Sequence, residues 1–217
     1  MEGRIDEYVN RGIGFRVREE LTWVMRVLFE KGLINLRGGN ASAKLCISGY
    51  CFIYITPSGL PKNRLRPDDI AVVDMEGVVH EGVPSTELPL HLEIYRRYRW
   101  ASAVVHAHTL MTLTASRHGL LDPGLLGYEA KYYLGDCIGR VPPLKPGSSE
   151  LARAVAAEAG KCRVVVLEGH GAVAVGEGPP IDALHEALDR LIVLEDAARV
   201  SIVEALLGGG GCRGKSV

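Results

Sequence analysis

The chain has no glutamine, only four asparagines, and seven lysines against eighteen arginines. Such depletion of heat-labile amides points to a thermophilic source. Neither sign of charge is in surplus. Lys and Arg total 25 and Asp and Glu 26, for a net charge of −1, which excludes a surface built for nucleic acid or anionic membranes. No stretch reaches 18 uninterrupted apolar residues, so no membrane-spanning helix is expected. The opening Met1-Glu2-Gly3-Arg4-Ile5-Asp6 lacks the pattern of a signal peptide, and a cytoplasmic location is expected. Cys46, Cys51, Cys137, Cys162 and Cys212 are odd in number and form no Cys-x-x-Cys pair. Reduced thiols are therefore the expectation, with a Cys46–Cys51 bridge across a hairpin as the alternative open to a hyperthermophile.

What is present is ordinary globular material: 47% hydrophobic and 24% charged residues over 217 positions, enough for one full core. A single domain over residues 1–217 is expected, with 208–217 a frayed tail. Val17, Leu21, Val24, Met25 and Leu28 recur at helical spacing and predict a helix over 16–31, closed by Gly32. Strands are expected at 41–47, 51–55, 70–74, 101–106, 162–167 and 172–175. Helices are expected at about 88–98, 110–117, 150–159 and 181–206. Residues 119–147, rich in Gly and Pro, resist assignment. Helices and strands mix within one unit, so a mixed or antiparallel sheet under flanking helices follows.

His106-Ala107-His108 ends the apolar strand at 101–106. Side chains alternate faces along a strand, so the two imidazoles share a face. Two readings fit the pair: half of a transition-metal site, or two polar residues at a strand terminus. His170, between Gly169 and Gly171 just past another buried strand, is the third candidate ligand, or else a turn histidine. Glu87 precedes a helix; it can ligate or act as a base beside a divalent cation, or simply favour the helix dipole. Gly38-Gly39-Asn40, Ser58-Gly59 and Ser85-Thr86 offer small residues, backbone N–H groups and hydroxyl or amide donors, the materials both of anion cradles and of ordinary turns. Arg37 is either a charge partner for them or solvated. His80, His91, His118 and His185 have no comparable spacing and read as surface or structural.

Six segments in order resemble the class II aldolase/adducin family, most closely its fuculose-phosphate aldolase branch. They are Gly38-Gly39-Asn40-Ala41-Ser42, Ile55-Thr56-Pro57-Ser58-Gly59, residues 69–82, Pro84-Ser85-Thr86-Glu87, Ala103-Val104-Val105-His106-Ala107-His108, and Leu167-Glu168-Gly169-His170-Gly171. The resemblance implies α/β/α layers around a mainly antiparallel sheet, and a C4 homotetramer with sites between subunits. It implies a Zn²⁺ ion held by His106, His108 and His170, with Glu87 as ligand or acid/base. Gly39, Asn40, Ser58, Gly59, Ser85 and Thr86 would hold a sugar phosphate. Tyr128, offered by a neighbouring subunit, would move a proton during reversible cleavage of a ketose 1-phosphate to dihydroxyacetone phosphate and an aldehyde such as lactaldehyde. No Schiff-base lysine is required.

The same resemblance carries rivals. Pentulose-phosphate 4-epimerases of this family carry Asp where Glu87 stands, which counts against them. Methylthioribulose-1-phosphate dehydratases share the three histidines and use a glutamate in the region of Glu129, for which a salt bridge is the structural alternative. Adducin-like interaction modules lose the metal ligands, all of which are present here. A zinc hydrolase would bind the metal yet cleave no carbon–carbon bond.

Overall fold

The computed structural model describes residues 12–121 and 127–208. Within them the helices are Ile13–Glu30 (α1), Leu88–Arg97 (α2), Leu110–Arg117 (α3), Gly127–Leu134 (α4), Ser149–Ala159 (α5) and Pro180–Gly208 (α6). The strands are Asn40–Ile47 (β1), Tyr50–Ile55 (β2), Ala71–Asp74 (β3), Val79–Glu81 (β4), Ala101–Ala107 (β5), Gly139–Val141 (β6), Val164–Leu167 (β7) and Gly171–Glu177 (β8). They form one sheet in the order β4-β3-β2-β1-β5-β8-β7-β6. Every pairing is antiparallel except β6 beside β7.

Alternation along the central strands explains the layers. Ala103, Val105 and Ala107 of β5 face a core shared with Val17, Leu21 and Met25 of α1 and Leu184 and Leu191 of α6. Val104 faces the opposite core, with Leu90 and Ile94 of α2 and Leu151 and Val155 of α5. Both faces of the sheet are thus covered, and the strands read as nearly continuous apolar runs. The result is the expected α/β/α arrangement.

Helix α1 buries the predicted stripe and stops where expected. Gly32 adopts φ +71, its N–H donates to the Phe29 carbonyl, and the Leu33 N–H donates to the Leu28 carbonyl. These paired bonds satisfy carbonyls left open at the helix end, and only glycine enters that left-handed conformation without strain. Ser148 caps α5 by accepting from the Leu151 N–H. None of the helices among the described residues is long and apolar enough to cross a membrane.

Strand β4 is not among the expected strands, and two further features depart from the sequence reading. Residues 119–147 contain α4 and β6, hidden because β6 is only three residues long and pairs in parallel with a strand far along the chain. The cysteines are the second of these. Cys46 and Cys51 are bonded, as are Cys137 and Cys162, so the reduced-thiol expectation is corrected for these four. The first pair sits directly opposite on the β1–β2 hairpin, whose two-residue turn puts Ser48 and Gly49 at positive φ. The second pair precedes β6 and β7, and parallel neighbours bring the residues before their starts together. Cys212 and the rest of the tail expected to fray, beyond residue 208, lie outside the described residues.

Candidate metal and phosphate site

The site forms in the middle of the sheet, where the end of β5 meets the starts of its antiparallel neighbours β1 and β8. His106, the penultimate residue of β5, lies opposite Asn40 on β1 and Val173 on β8. His108 follows one residue beyond β5. His170 occupies the turn between β7 and β8, made tight by Gly169 at φ +75. The three rings approach to centroid distances of 4.6–5.3 Å. One donor nitrogen from each lies within 4.8 Å of the others. The structure therefore brings together all three predicted histidines.

Protonation states follow from their partners. A carbonyl only accepts, so His106 Nδ1–H must donate to the Ala172 oxygen at 3.0 Å. Its Nε2 then carries a lone pair, and this fully buried nitrogen has no hydrogen-bond partner among the described residues. Burial pushes the His106 pKa down to about 4; Glu87 opposes this, and His170 and His108 reinforce it. Burial and the His170 ring also lower His108. Neutral imidazoles with aimed lone pairs are what a divalent transition metal needs, and the carbonyl bond behind His106 holds the ring in register.

Glu87 sits at the start of α2, yet its carboxylate does not cap that helix. It turns inward instead. Oε2 accepts from Asn40 Nδ2–H at 2.6 Å and lies 3.5 Å from His106 Nε2. Oε1 lies 3.9 Å from His170 Nε2 and is buried without a hydrogen-bond partner among the described residues. Burial alone would raise the carboxyl pKa; the His106 ring, the Asn40 amide and the His170 ring hold it below the ordinary value. Three imidazole nitrogens beside an unsatisfied carboxylate oxygen could hold one cation, and the orphaned atoms show that the residues fit one.

His91 is the residue that sequence reading passed over. Glu87, His91 and Tyr95 follow at four-residue intervals, so they share one face of α2. Asn40 Nδ2 is committed to Glu87, leaving its Oδ1 to accept from His91 Nε2–H at 2.6 Å. His91 Nδ1 must then accept from the Ser42 hydroxyl at 2.6 Å. The Tyr95 hydroxyl donates to the Ser42 carbonyl at 3.0 Å. One chain of fixed polarity therefore runs from the core to the Glu87 carboxylate. The available signal was the Glu-x-x-x-His spacing, which acquires meaning only once the helix is placed.

Burial pushes the His91 pKa down to about 3, against opposition from Glu87. A histidine kept neutral in the fold but ordinary in the unfolded chain, near 6.5, lets the unfolded chain bind the proton first on acidification. Its contribution is therefore fully present above about pH 6.5 and lost as pH falls toward the folded value. The limiting slope is about 1.4 kcal/mol per pH unit. Denaturant titrations at pH 7 and pH 5 should show this loss in the wild type and a smaller one in His91→Gln. Equal losses in the two proteins would contradict the assignment.

The three anion-type loops converge beside the histidines. Gly39, Asn40, Ser58, Ser85 and Thr86 line a cavity of about 180 Å³ together with Glu87, His108 and His170. Thr86 N–H donates to Ser58 Oγ at 2.9 Å, tying two of the loops. Glu87 N–H donates to Ser85 Oγ at 3.2 Å. Glycine is required in the first loop. A Cβ on Gly38 would lie 2.6 Å from His108 Cε1, and one on Gly39 would lie 2.9 Å from the His106 carbonyl. Gly59 shapes the second loop at φ +78 but does not itself line the cavity. Arg37 lines the rim, exposed. Tyr128 and Glu129 sit apart from this cavity on α4, with Tyr128 92% exposed.

Comparisons with known proteins identify the family to which this fold belongs. A family profile described as Class II Aldolase and Adducin N-terminal domain matches residues 19–202. The L-fuculose phosphate aldolase of Methanocaldococcus jannaschii is 32% identical over 190 residues, covering 88% of this chain and 98% of that protein. That of Methanococcus vannielii is 34% identical, covering 84% and 94%. The crystal structure of L-fuculose-1-phosphate aldolase from Thermus thermophilus superposes with a TM-score of 0.80 at 35% identity, covering 91% of this chain and 98% of that one. A strand-end histidine trio, a helix-start glutamate and converging glycine and hydroxyl loops, in this fold and with these relatives, mean that the chain belongs to the class II aldolase/adducin family.

Proposed function

We propose that the protein is a zinc-dependent aldolase that reversibly cleaves a ketose 1-phosphate of the L-fuculose 1-phosphate type. The products are dihydroxyacetone phosphate and an aldehyde such as lactaldehyde. One observation carries this reading: Glu87, His108 and His170 line the same cavity as the Ser58, Ser85 and Thr86 loops. A sugar phosphate anchored at the loops would extend its carbonyl toward the histidines.

His106, His108 and His170 would hold the zinc, leaving room for substrate, with Glu87 beside them as ligand or acid/base. When bound, the ion supplies Lewis-acid polarisation of the ketose carbonyl and offsets negative charge developing on the substrate oxygens. Gly39, Asn40, Ser58, Ser85 and Thr86 position the phosphate by hydrogen bonding, and Gly59 shapes the loop that carries Ser58. Asn40 holds Glu87 Oε2 and so leaves Oε1 free for proton transfer. In condensation, the Glu87 carboxylate takes a proton from C3, the hydroxymethyl carbon of dihydroxyacetone phosphate, and C3 attacks the aldehyde carbon to form the C3–C4 bond. Tyr128, from a neighbouring subunit of a C4 homotetramer, gives its hydroxyl proton to the C4 oxygen and is reprotonated from solvent, a role its outward placement on α4 suits. The proton taken up by Glu87 returns to solvent as the new C4 oxygen is protonated, so none is consumed overall; cleavage is the reverse.

Product analysis decides the reaction. The protein, with zinc, is incubated with a panel of ketose 1-phosphates and with methylthioribulose 1-phosphate. Dihydroxyacetone phosphate is expected from at least one ketose 1-phosphate, with Glu129→Gln retaining that activity. Loss of water without carbon–carbon cleavage, abolished by Glu129→Gln, would replace the aldolase by a dehydratase.

A further inference from the structure

Lys62 lines the same cavity but has no part in the roles described above. It opens a short 3₁₀ turn, Lys62–Arg64, and is 1% exposed. Its ammonium group donates to the Pro57 carbonyl, one residue before Ser58. Among the described residues no carboxylate pairs with it. An ammonium group has three protons to donate, and this one has one acceptor. Burial pushes its pKa down to about 8 with no opposing charge. A buried cation without a counter-charge is strongly destabilising, and such groups are retained where an anion completes them.

The neighbours say which anion. Ser58, Ser85 and Thr86 offer neutral donors to the same cavity. Neutral donors alone serve a hydroxyl nearly as well as a phosphate oxygen, so they give little preference for charge. Arg37, the other cation on the cavity, is exposed, and solvent screens it. The buried ammonium is not screened in that way. We propose that Lys62 is the charge that selects phosphorylated substrates: its ammonium group pairs with the phosphate dianion that Ser58, Ser85 and Thr86 hold by hydrogen bonds. This rests on the sugar-phosphate reading of the cavity.

The test is titration of the full-length protein with inorganic phosphate, comparing wild type, Lys62→Met and Lys62→Gln. Glutamine keeps an N–H donor for the Pro57 carbonyl on a side chain one bond shorter and removes the charge. Both variants are expected to bind phosphate about ten- to a hundredfold more weakly, as for loss of a hydrogen bond to a charged group. Wild-type affinity in Lys62→Gln would overturn the proposal, leaving the lysine as a tie for the loop and the sugar-phosphate reading intact. No phosphate binding by the wild type would remove both. If neither variant folds, the side-chain nitrogen resonance of Lys62 in the wild type provides the readout. It should shift as phosphate saturates, and an unmoved resonance would overturn the pairing.

Discussion

His106→Ala is expected to lose stoichiometric metal binding and about a thousandfold or more in ketose 1-phosphate cleavage. Lewis-acid stabilisation of a developing oxyanion is worth several kcal/mol, and each 1.4 kcal/mol is tenfold in rate. The reason to choose His106 is its geometry. Its Nδ1–H is fixed on the Ala172 carbonyl and its Nε2 is aimed, buried and unsatisfied, so no neighbouring group can substitute for it. The folding cost should be modest, about 1–2 kcal/mol for the lost hydrogen bond together with a small cavity. Metal analysis of the purified variant beside its melting curve separates the two effects. Full zinc occupancy in a folded variant would refute the ligand assignment.

Glu87→Gln is expected to lower cleavage by about 10²–10⁴-fold, the range for removal of a positioned general acid or base. The substitution preserves size, and its amide oxygen can still accept from Asn40 Nδ2. What disappears is the proton-carrying oxygen facing His170. Exchange of the hydroxymethyl hydrogen of dihydroxyacetone phosphate with deuterated solvent, followed without any aldehyde, isolates the step assigned to Glu87. That exchange should fall in parallel with cleavage. Exchange at the wild-type rate would move the proton transfer to another residue and leave Glu87 as a ligand alone.

Much of the metal group was legible because strand geometry is short-range. His106 and His108 lie two residues apart at the end of an apolar run, and His170 follows a second one between glycines. Their convergence needed only that β5 and β8 be neighbours. Glu87 was legible with two roles open, a partner beside a cation or a charge at the helix start, and local sequence did not choose between them. That choice is made by Asn40, directly opposite His106 across the β1–β5 ladder. His91 was hidden for a related reason: its partners Asn40 and Ser42 lie some fifty residues away on a strand. Lys62 carried no local signal, because only the fold buries it beside the cavity. The disulfide between Cys137 and Cys162 depended on a parallel pairing of β6 that no local pattern announces.

The most direct measurement is metal reconstitution with product readout. Protein stripped by chelator is titrated with zinc while dihydroxyacetone phosphate release from a cleavable ketose 1-phosphate is followed. The expected result is negligible release before addition and a linear rise that saturates at one zinc per chain. Saturation of the three-histidine group with no carbon–carbon cleavage, or with elimination of water instead, would contradict the assignment of this cavity as an aldolase site.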